Sequence, residues 1–585
     1  MRSENVAMLE WREFGPQAFD QAKADDKPIL LVLTVPWCAH CKDLLETTLS
    51  DPRVIETISR EFIPVAVDAE RRPDVNDRYG TGGWPTISYL TPGADLITQD
   101  RYLTADELLP HLDQIAAEYA TNRTEIEAGI RELWDRTASD TTTPRSLSED
   151  ITENVADAIY EKFDHRYGGW GTASKFPHSE AIDFALVMVA KRQDPRMQEV
   201  VKLTLDQMQN GGIHDEIDGG FFRFSRTPDW RTPNFEKILD ANAQRLRCYL
   251  EAYQLFDNPE YRRTAEGIIR WMLKSMVNLE TDTFCGSQDA DSDYYTLDAE
   301  GRSRRQPPNR NNTTYTNGNS MMVSALLKAS IVLDRPELLQ RATCALNFLL
   351  ENLTDGEGTV YHYWDGTYHL PGLLSDQAYL IRALIDCSQH TSNSDLLLPA
   401  EAIAEMAMSR QKSPDGGFFD ILQDNSGQGS MRRRNRSILD NAVMAESLVR
   451  LSYLSRRREF YDEAIRALES FTDDYKKYGY YVAAYGRAVD LVFYPPLTVT
   501  IIGDRDSEAA DALRKASLLT YVPSRIVQVL DPRHDPVLIE RAGYEVGEVP
   551  RAYLTVGTTE HCVVETPDDL LVRMNEIEAE RHEGL

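Results

Sequence analysis

Three kinds of hydrophobic pattern follow one another along the 585 residues, and each predicts a different unit. Near the N-terminus the continuous apolar, β-branched run Ile29–Val35 has strand length, and an acidic-to-polar helical lead-in, Trp11–Ala24, precedes it. A helix at Asp51–Arg60, capped by Ser50 or Asp51, a strand at Phe62–Val67, a strand at Thr86–Leu90 and a helix at Ala105–Ala120 complete the pattern. Strands alternating with helices over this length predict a small α/β domain, residues 1–134. Residues 135–150 (DRTASDTTTPRSLSED) lack apolar period and read as a linker.

From 151 to 488 the chain is a succession of amphipathic helices with an irregular repeat. Its loops carry Gly-Gly-aromatic (Gly168-Gly169-Trp170, Gly219-Gly220-Phe221, Gly416-Gly417-Phe418), and its helices begin with related words, Ile238–Ala243, Leu373–Ala378 and Ile438–Ala442. Helix pairs that cannot bury their own faces must stack or close on one another, so an all-α toroid is expected. Residues 489–585 return to α/β, with strands at Leu497–Ile502, Arg525–Leu530 and Ala552–Val556 and helices at Ser507–Ala516 and Pro567–Glu576. That segment has no Gly-rich phosphate loop and reads as packing against the toroid.

Candidate chemistry concentrates after the first strand, in Pro36-Trp37-Cys38-Ala39-His40-Cys41-Lys42. Cys38 is placed at a helix N-terminus, where unpaired N–H groups and the positive end of the dipole favour thiolate over thiol. Cys41, one turn later, is positioned to resolve a mixed disulfide formed by Cys38. The alternatives are half a zinc site or two inert core cysteines. A structural zinc site needs four ligands, and no second Cys-x-x-Cys occurs. Pro85, opening a strand after Gly-Gly-Trp84, is a natural place for a cis peptide that leaves a backbone edge for a substrate peptide. An ordinary trans proline at a strand start is the plainer alternative.

Composition narrows the partners. Asp and Glu number 94 against 63 Lys and Arg, a net charge of −31, and only 14 of the basic residues are lysine. Such a surface opposes non-specific binding to nucleic acid or anionic membrane. No run approaches the length of a membrane span, and the acidic start lacks the apolar core of a signal peptide, so a cytoplasmic location is expected. Seven thinly spread cysteines do not form an extracellular disulfide framework. Cys248, Cys344 and Cys387 sit in apolar helical patterns, and Cys285 and Cys562 receive no role. Asp289-Ala-Asp-Ser-Asp293 with Glu300 mimics a calcium loop, but Tyr294 stands where the turn needs glycine, so no metal and no cofactor are expected.

The Trp-Cys-x-x-Cys-Lys motif followed by Trp84-Pro85-Thr86 resembles the thioredoxin fold, and Val67–Pro92 resembles large thioredoxin-domain-containing proteins related to spermatogenesis-associated protein 20. The resemblance continues through Phe163–Trp170, Ser174–Pro177, Gly211–Phe221, Phe235–Leu239, Gln288–Ser292 and Gly416–Asp420. It implies a multidomain chain: an α/β thioredoxin-like N-terminal domain, an all-α (α/α)6 toroid of the N-acylglucosamine 2-epimerase type, and a small C-terminal α/β segment. Departures accompany it. Asn234 replaces a histidine of the family's Pro-His-Phe-Glu-Lys, and the family's Trp-Asn-Gly is altered around Thr316–Asn319. Val32 stands where typical thioredoxins keep a buried carboxylate.

Two candidate sites result. Cys38 and Cys41 are the candidate catalytic pair, with Trp37, His40, Trp84 and Pro85 beside them for a protein thiol or disulfide partner. At the toroid mouth Trp170, His214, Asp215, Asp240, Asp376 and Asp440 are candidates for a carbohydrate or other small polar ligand, together with Asn242, Gln377, Asn441, Phe221 and Trp230. Asp and Asn at helix starts could equally be N-caps. The expected function is thiol–disulfide exchange beside a recognising toroid, with a carbohydrate-active epimerase, isomerase or hydrolase, or a non-catalytic binding module, as alternatives.

Overall fold

The computed structural model describes residues 9–137, 145–423 and 427–583. Two compact units result. The first takes in residues up to 142 together with 421–435, the second residues 143–420 and 436–585.

The first unit contains α1 (Pro16–Asp25), β1 (Ile29–Thr34), α2 (Ala39–Asp43), α3 (Pro52–Glu61), β2 (Ile63–Asp68), α4 (Pro73–Tyr79), β3 (Thr86–Leu90), β4 (Leu96–Asp100) and α5 (Ala105–Thr137). The sheet order is β2-β1-β3-β4, with β1 parallel to β2 and the other neighbours antiparallel. β1 is apolar from Ile29 to Leu33 because both its faces are covered there. Leu30 and Val32 pack with Leu108 and Leu112, while Ile29, Leu31 and Leu33 pack with Phe19 and Val75. Asp51, one of the two expected caps, accepts from Arg53 N at 2.8 Å. The segment 421–435, which the sequence reading assigned to the toroid, belongs here: Met431 joins the α1/β2 core, and Ser430 N donates to Ala94 O at 3.3 Å.

The second unit is a closed ring of helix hairpins. Six inner helices, Ser179–Arg192, Leu239–Phe256, Thr316–Val332, Leu374–Thr391, Ile438–Ser455 and Ala483–Phe493, each touch the next, and the last packs against the first. Six outer helices surround them: Asp150–Glu161, Pro195–Gln209, Pro259–Trp271, Pro336–Asn352, Leu397–Arg410 and Arg458–Glu469. Asp150–Glu161 pairs with Ala483–Phe493, so the start and end of the array close the ring. Outer helices bury one face, as in Tyr261, Thr264, Ala265, Ile268 and Ile269, whereas the inner helices are buried nearly all round. This is an (α/α)6 toroid.

The repeat words at the inner-helix starts have a structural meaning. Asn242 accepts from Phe221 N at 2.7 Å and donates to Phe221 O at 3.0 Å. Asn441 makes the same pair of bonds with Phe418, and Asn319 with Phe284. Each asparagine therefore ties a preceding loop to its helix. The Gly-Gly pairs place that loop: Gly219 and Gly220 have φ of +87° and +77°, and a Cβ on Gly219 would lie 2.0 Å from Gly267 O.

The C-terminal segment is more than packing. Strand Leu497–Ile502 lies between a parallel neighbour, Arg525–Leu530, and an antiparallel one, Arg551–Val556, with Thr559–Val564 at the edge. Helices Glu508–Leu519, Pro536–Ala542 and Pro567–Glu583 connect and follow them. Strand order, polarity and connections repeat those of the N-terminal sheet. Ser507 caps its first helix as Cys38 caps α2, accepting from Ala510 N at 3.2 Å. Pro550 precedes its third strand as Pro85 precedes β3. This second thioredoxin-like module thus carries Ser507 and Ala510 where the first carries Cys38 and Cys41. The double substitution Ser507→Cys/Ala510→Cys is expected to form a disulfide on oxidation. Peptide mapping that found two free thiols at these positions would contradict the correspondence.

Candidate functional site

The candidate residues fall in both units, and only those of the first gather at one site. In the first unit the β1–α2 turn presents Cys38 as the N-cap of α2, with the N–H of Cys41 directed at its Sγ over 3.3 Å. That donor stabilises negative charge on sulfur. The Cys38 thiol lies 3.8 Å from the Trp84 carbonyl, and the Trp84–Pro85 peptide is cis, as the sequence suggested. Cys38 is 8% exposed and Cys41 1%, so the first cysteine is the more accessible. Trp37 is fixed by Glu70 Oε1, which accepts from its indole at 2.6 Å. Trp84 donates to Asn76 Oδ1 at 3.1 Å, and the two indoles meet edge-on at 5.5 Å. His40 is exposed and faces Tyr102. Val32 is buried among Leu30, Leu44 and Ile87, so the position of the usual thioredoxin carboxylate is apolar here.

The other cysteines have different surroundings. Burial raises the thiol pKa of Cys248, Cys285 and Cys562 above the ordinary range and that of Cys387 to about 11. Cys285 also donates to Asn312 Oδ1 at 3.4 Å.

The toroid separates the mouth candidates. Asp240 and Asp440 sit near the inner-helix starts and are partly exposed, and burial raises the carboxyl of Asp240. The remaining candidates are held elsewhere. Asp215 is buried in an ion-pair cluster, accepting from Lys237 Nζ at 2.7 Å and Arg302 Nη1 at 2.8 Å. Asp376 is fully buried against His362 Nδ1 at 2.9 Å. Trp170 is 1% exposed, stacks on Tyr480 and donates to Ile159 O. Trp230 is likewise core, and His214 lies on Phe221 with its Nδ1 against Gln209 O. These placements correct the sequence reading of a mouth lined by Trp170, His214, Asp215 and Asp376. An aspartate that pairs with a lysine 22 positions away gives no periodic sign of doing so.

The observed mouth contains residues that the sequence reading passed over. Glu180, Gln244 and Tyr379 line the opening with Asp183 and Arg247 below them, and Phe176 and Tyr481 form a partly exposed aromatic rim. Burial raises the carboxyl of Glu180. Deeper, the axis is crossed by ion pairs: Arg247 with Asp183 and Glu251 at 3.3 and 3.0 Å, Lys328 with Glu251 at 3.1 Å, and Arg382 with Glu446 at 2.9 Å. Arg487 joins Asp183 to Glu446. The helix-start position in every hairpin would have pointed to Glu180, since it stands there in the first inner helix as Asp240 does in the second. Among the described residues no cluster of three His, Cys, Asp or Glu side chains forms a metal cage.

Residues 1–138 match a family model described as Thioredox_DsbH, "Protein of unknown function, DUF255". Over 89% of its length the chain is 22% identical to human spermatogenesis-associated protein 20, covering 84% of that protein. Over 18% of its length it is 31% identical to rat protein disulfide-isomerase A4, covering 16% of that protein. The cellobiose 2-epimerase of Spirochaeta thermophila aligns with 59% of this chain and 98% of its own at 12% identity, with a TM-score of 0.47.

Proposed function

We propose that the protein is a thiol–disulfide oxidoreductase acting through Cys38 and Cys41, and that its toroid recognises a substrate or partner. The observation that carries this reading is the placement of Cys38: a helix N-cap whose sulfur receives the Cys41 N–H and faces the Trp84 carbonyl beside Pro85. The Cys38 thiolate attacks one sulfur of a substrate disulfide, forming a mixed disulfide and releasing one substrate thiolate. The Cys41 thiolate then attacks Cys38 Sγ, releasing the second substrate thiolate and leaving a Cys38–Cys41 disulfide. Two electrons pass to the substrate, and the reverse sequence oxidises a dithiol. The likeness of the N-terminal part to protein disulfide-isomerase A4 supports the same chemistry.

Alkylation of the fully reduced protein near neutral pH tests the assignment. Cys38 is expected to be labelled first among the seven cysteines, because burial holds several of the others as thiols. Faster labelling of Cys41, or labelling of neither, would rule it out.

Carbohydrate chemistry in the toroid is the second reading. It is favoured by the carboxyls of Glu180 and Asp240, which burial raises, at a mouth with an aromatic rim. Conversion of mono- or disaccharides by the Cys38→Ser/Cys41→Ser protein at enzyme-like rates would establish that reading instead.

A further inference from the structure

A second chamber lies at the opposite turns of the inner helices, between the toroid and the C-terminal module. These belong to one compact unit: Val527 N donates to Gln389 Oε1 at 2.7 Å, and Gln254 Nε2 donates to Leu519 O at 2.6 Å. The segment Leu518–Ile526 closes the space. Seven arginine and lysine side chains line it against four aspartates and glutamates, in a chain whose net charge is −31.

Most of those cations have carboxylate partners. Arg450 pairs with Asp386, Lys328 with Glu251, and Lys191 with Asp490. Arg525 differs. Its guanidinium donates only to main-chain carbonyls, those of Thr520 and Leu518, among the bonds in which it takes part. Glu578, an acid near it on the terminal helix, is engaged by Arg581 at 2.6 Å and by Tyr494. Burial and the neighbouring Arg450 charge push Arg525 down to about 10. Lys328 is also lowered, by burial first and by Arg247 and Arg525 in addition.

Three further donors are left over. The Tyr521 hydroxyl, the Ser324 hydroxyl and Arg382 Nε are buried without a hydrogen-bond partner and line the chamber, as does one carboxylate oxygen, Glu251 Oε2. Tyr521 is 8% exposed. A buried donor with no acceptor costs about 1–3 kcal/mol, a cost that a bound acceptor removes. Partial negative charge at the helix C-termini offsets some of the cation excess, yet these donors remain without an acceptor.

We propose that this chamber binds a small phosphate-bearing anion, held by Arg525, Lys328, Arg450 and the Tyr521 hydroxyl. Several convergent cations with a neutral hydroxyl donor suit an anion that carries more than one charge and several acceptor oxygens, which a halide lacks. The chamber shares the ion-paired layer of Arg247, Arg382, Glu446 and Arg487 with the floor of the toroid mouth, and its proposed occupant does not depend on either proposed activity.

The test follows the thermal midpoint of the full-length protein as potassium phosphate, then pyrophosphate, replaces potassium chloride at constant ionic strength. A saturable rise is expected, with pyrophosphate acting at lower concentration than phosphate. Tyr521→Phe removes one donor and no packing, and is expected to weaken binding about three- to tenfold while raising the midpoint in chloride, because the unpaired buried hydroxyl is gone. Arg525→Gln is expected to weaken it by about tenfold or more. A phosphate response no different from that of chloride, or one retained in full by both variants, would overturn the proposal.

Discussion

Replacing Cys38 with serine is expected to reduce exchange with a peptide disulfide by on the order of 10³-fold or more, to the level of background, because the remaining sulfur, Cys41, is 1% exposed and is placed to attack Cys38 and not an incoming substrate. Cys41→Ser should behave differently. Its Cys38 can still attack, so one equivalent of substrate is retained as a mixed disulfide that reducing agent releases. The difference follows from geometry: Cys38 is the N-cap and the more exposed of the two, and Cys41 lies beneath it with its N–H aimed at the Cys38 sulfur. Intact-protein mass spectrometry reads both outcomes. Trapping by the Cys38→Ser protein and not by the Cys41→Ser protein would reverse the assignment.

Asp215→Asn is expected to destabilise the second unit by about 3–5 kcal/mol, since it leaves buried cations without their carboxylate. Lys237 has a fully buried side chain and Arg302 is nearly so. Both converge on Asp215, and only Arg302 keeps another acid, Asp218, at 2.9 Å. Burial already pushes Lys237 down to about 8 against the pull of Asp215, so losing that carboxylate removes the main force keeping it protonated. Asp240→Asn provides the contrast. Burial raises that carboxyl, and its Oδ1 accepts from Ala241 N, an interaction asparagine can keep, so a change within about 1 kcal/mol is expected. Denaturant midpoints of the two variants measure the difference. Equal midpoints would show that Asp215 does not hold the fold.

The sequence exposed what is local and left out what is not. The Cys38 turn was legible because a buried central strand, a turn and a helix start follow one another directly in the chain, and the toroid because its words repeat. The two edge strands, Leu96–Asp100 and Thr559–Val564, escaped. Each is mostly half-buried or exposed and lacks the alternation that marks a strand with one face in the core. The short helices Pro73–Tyr79 and Pro536–Ala542 escaped as well. Without the second of each kind the C-terminal module looked like an unclassified α/β tail, and its likeness to the N-terminal sheet could not be seen. The mouth was misdrawn for another reason. Asp215, Asp376 and Trp170 stand near glycine-rich loops or helix starts, as ligand-binding residues do. Their partners Lys237, Arg302 and His362 are brought to them only by the closed ring. Asn242 and Asn441 stand in the repeated words, where the repetition records a loop clamp, and Asn319, outside those words, makes the same clamp.

The redox assignment and the anion chamber stand on different residues, so either can fail without the other. The central claim is the first. Its most direct test is catalytic turnover of a peptide disulfide by the full-length protein, with a thiol reductant in excess, compared with the Cys38→Ser/Cys41→Ser protein and with a free dithiol at equal concentration. Multiple turnovers faster than the free dithiol are expected, abolished in the double variant, with a Cys38–Cys41 disulfide recovered when reductant is withheld. Exchange no faster than the free dithiol, or activity surviving in the double variant, would contradict the claim.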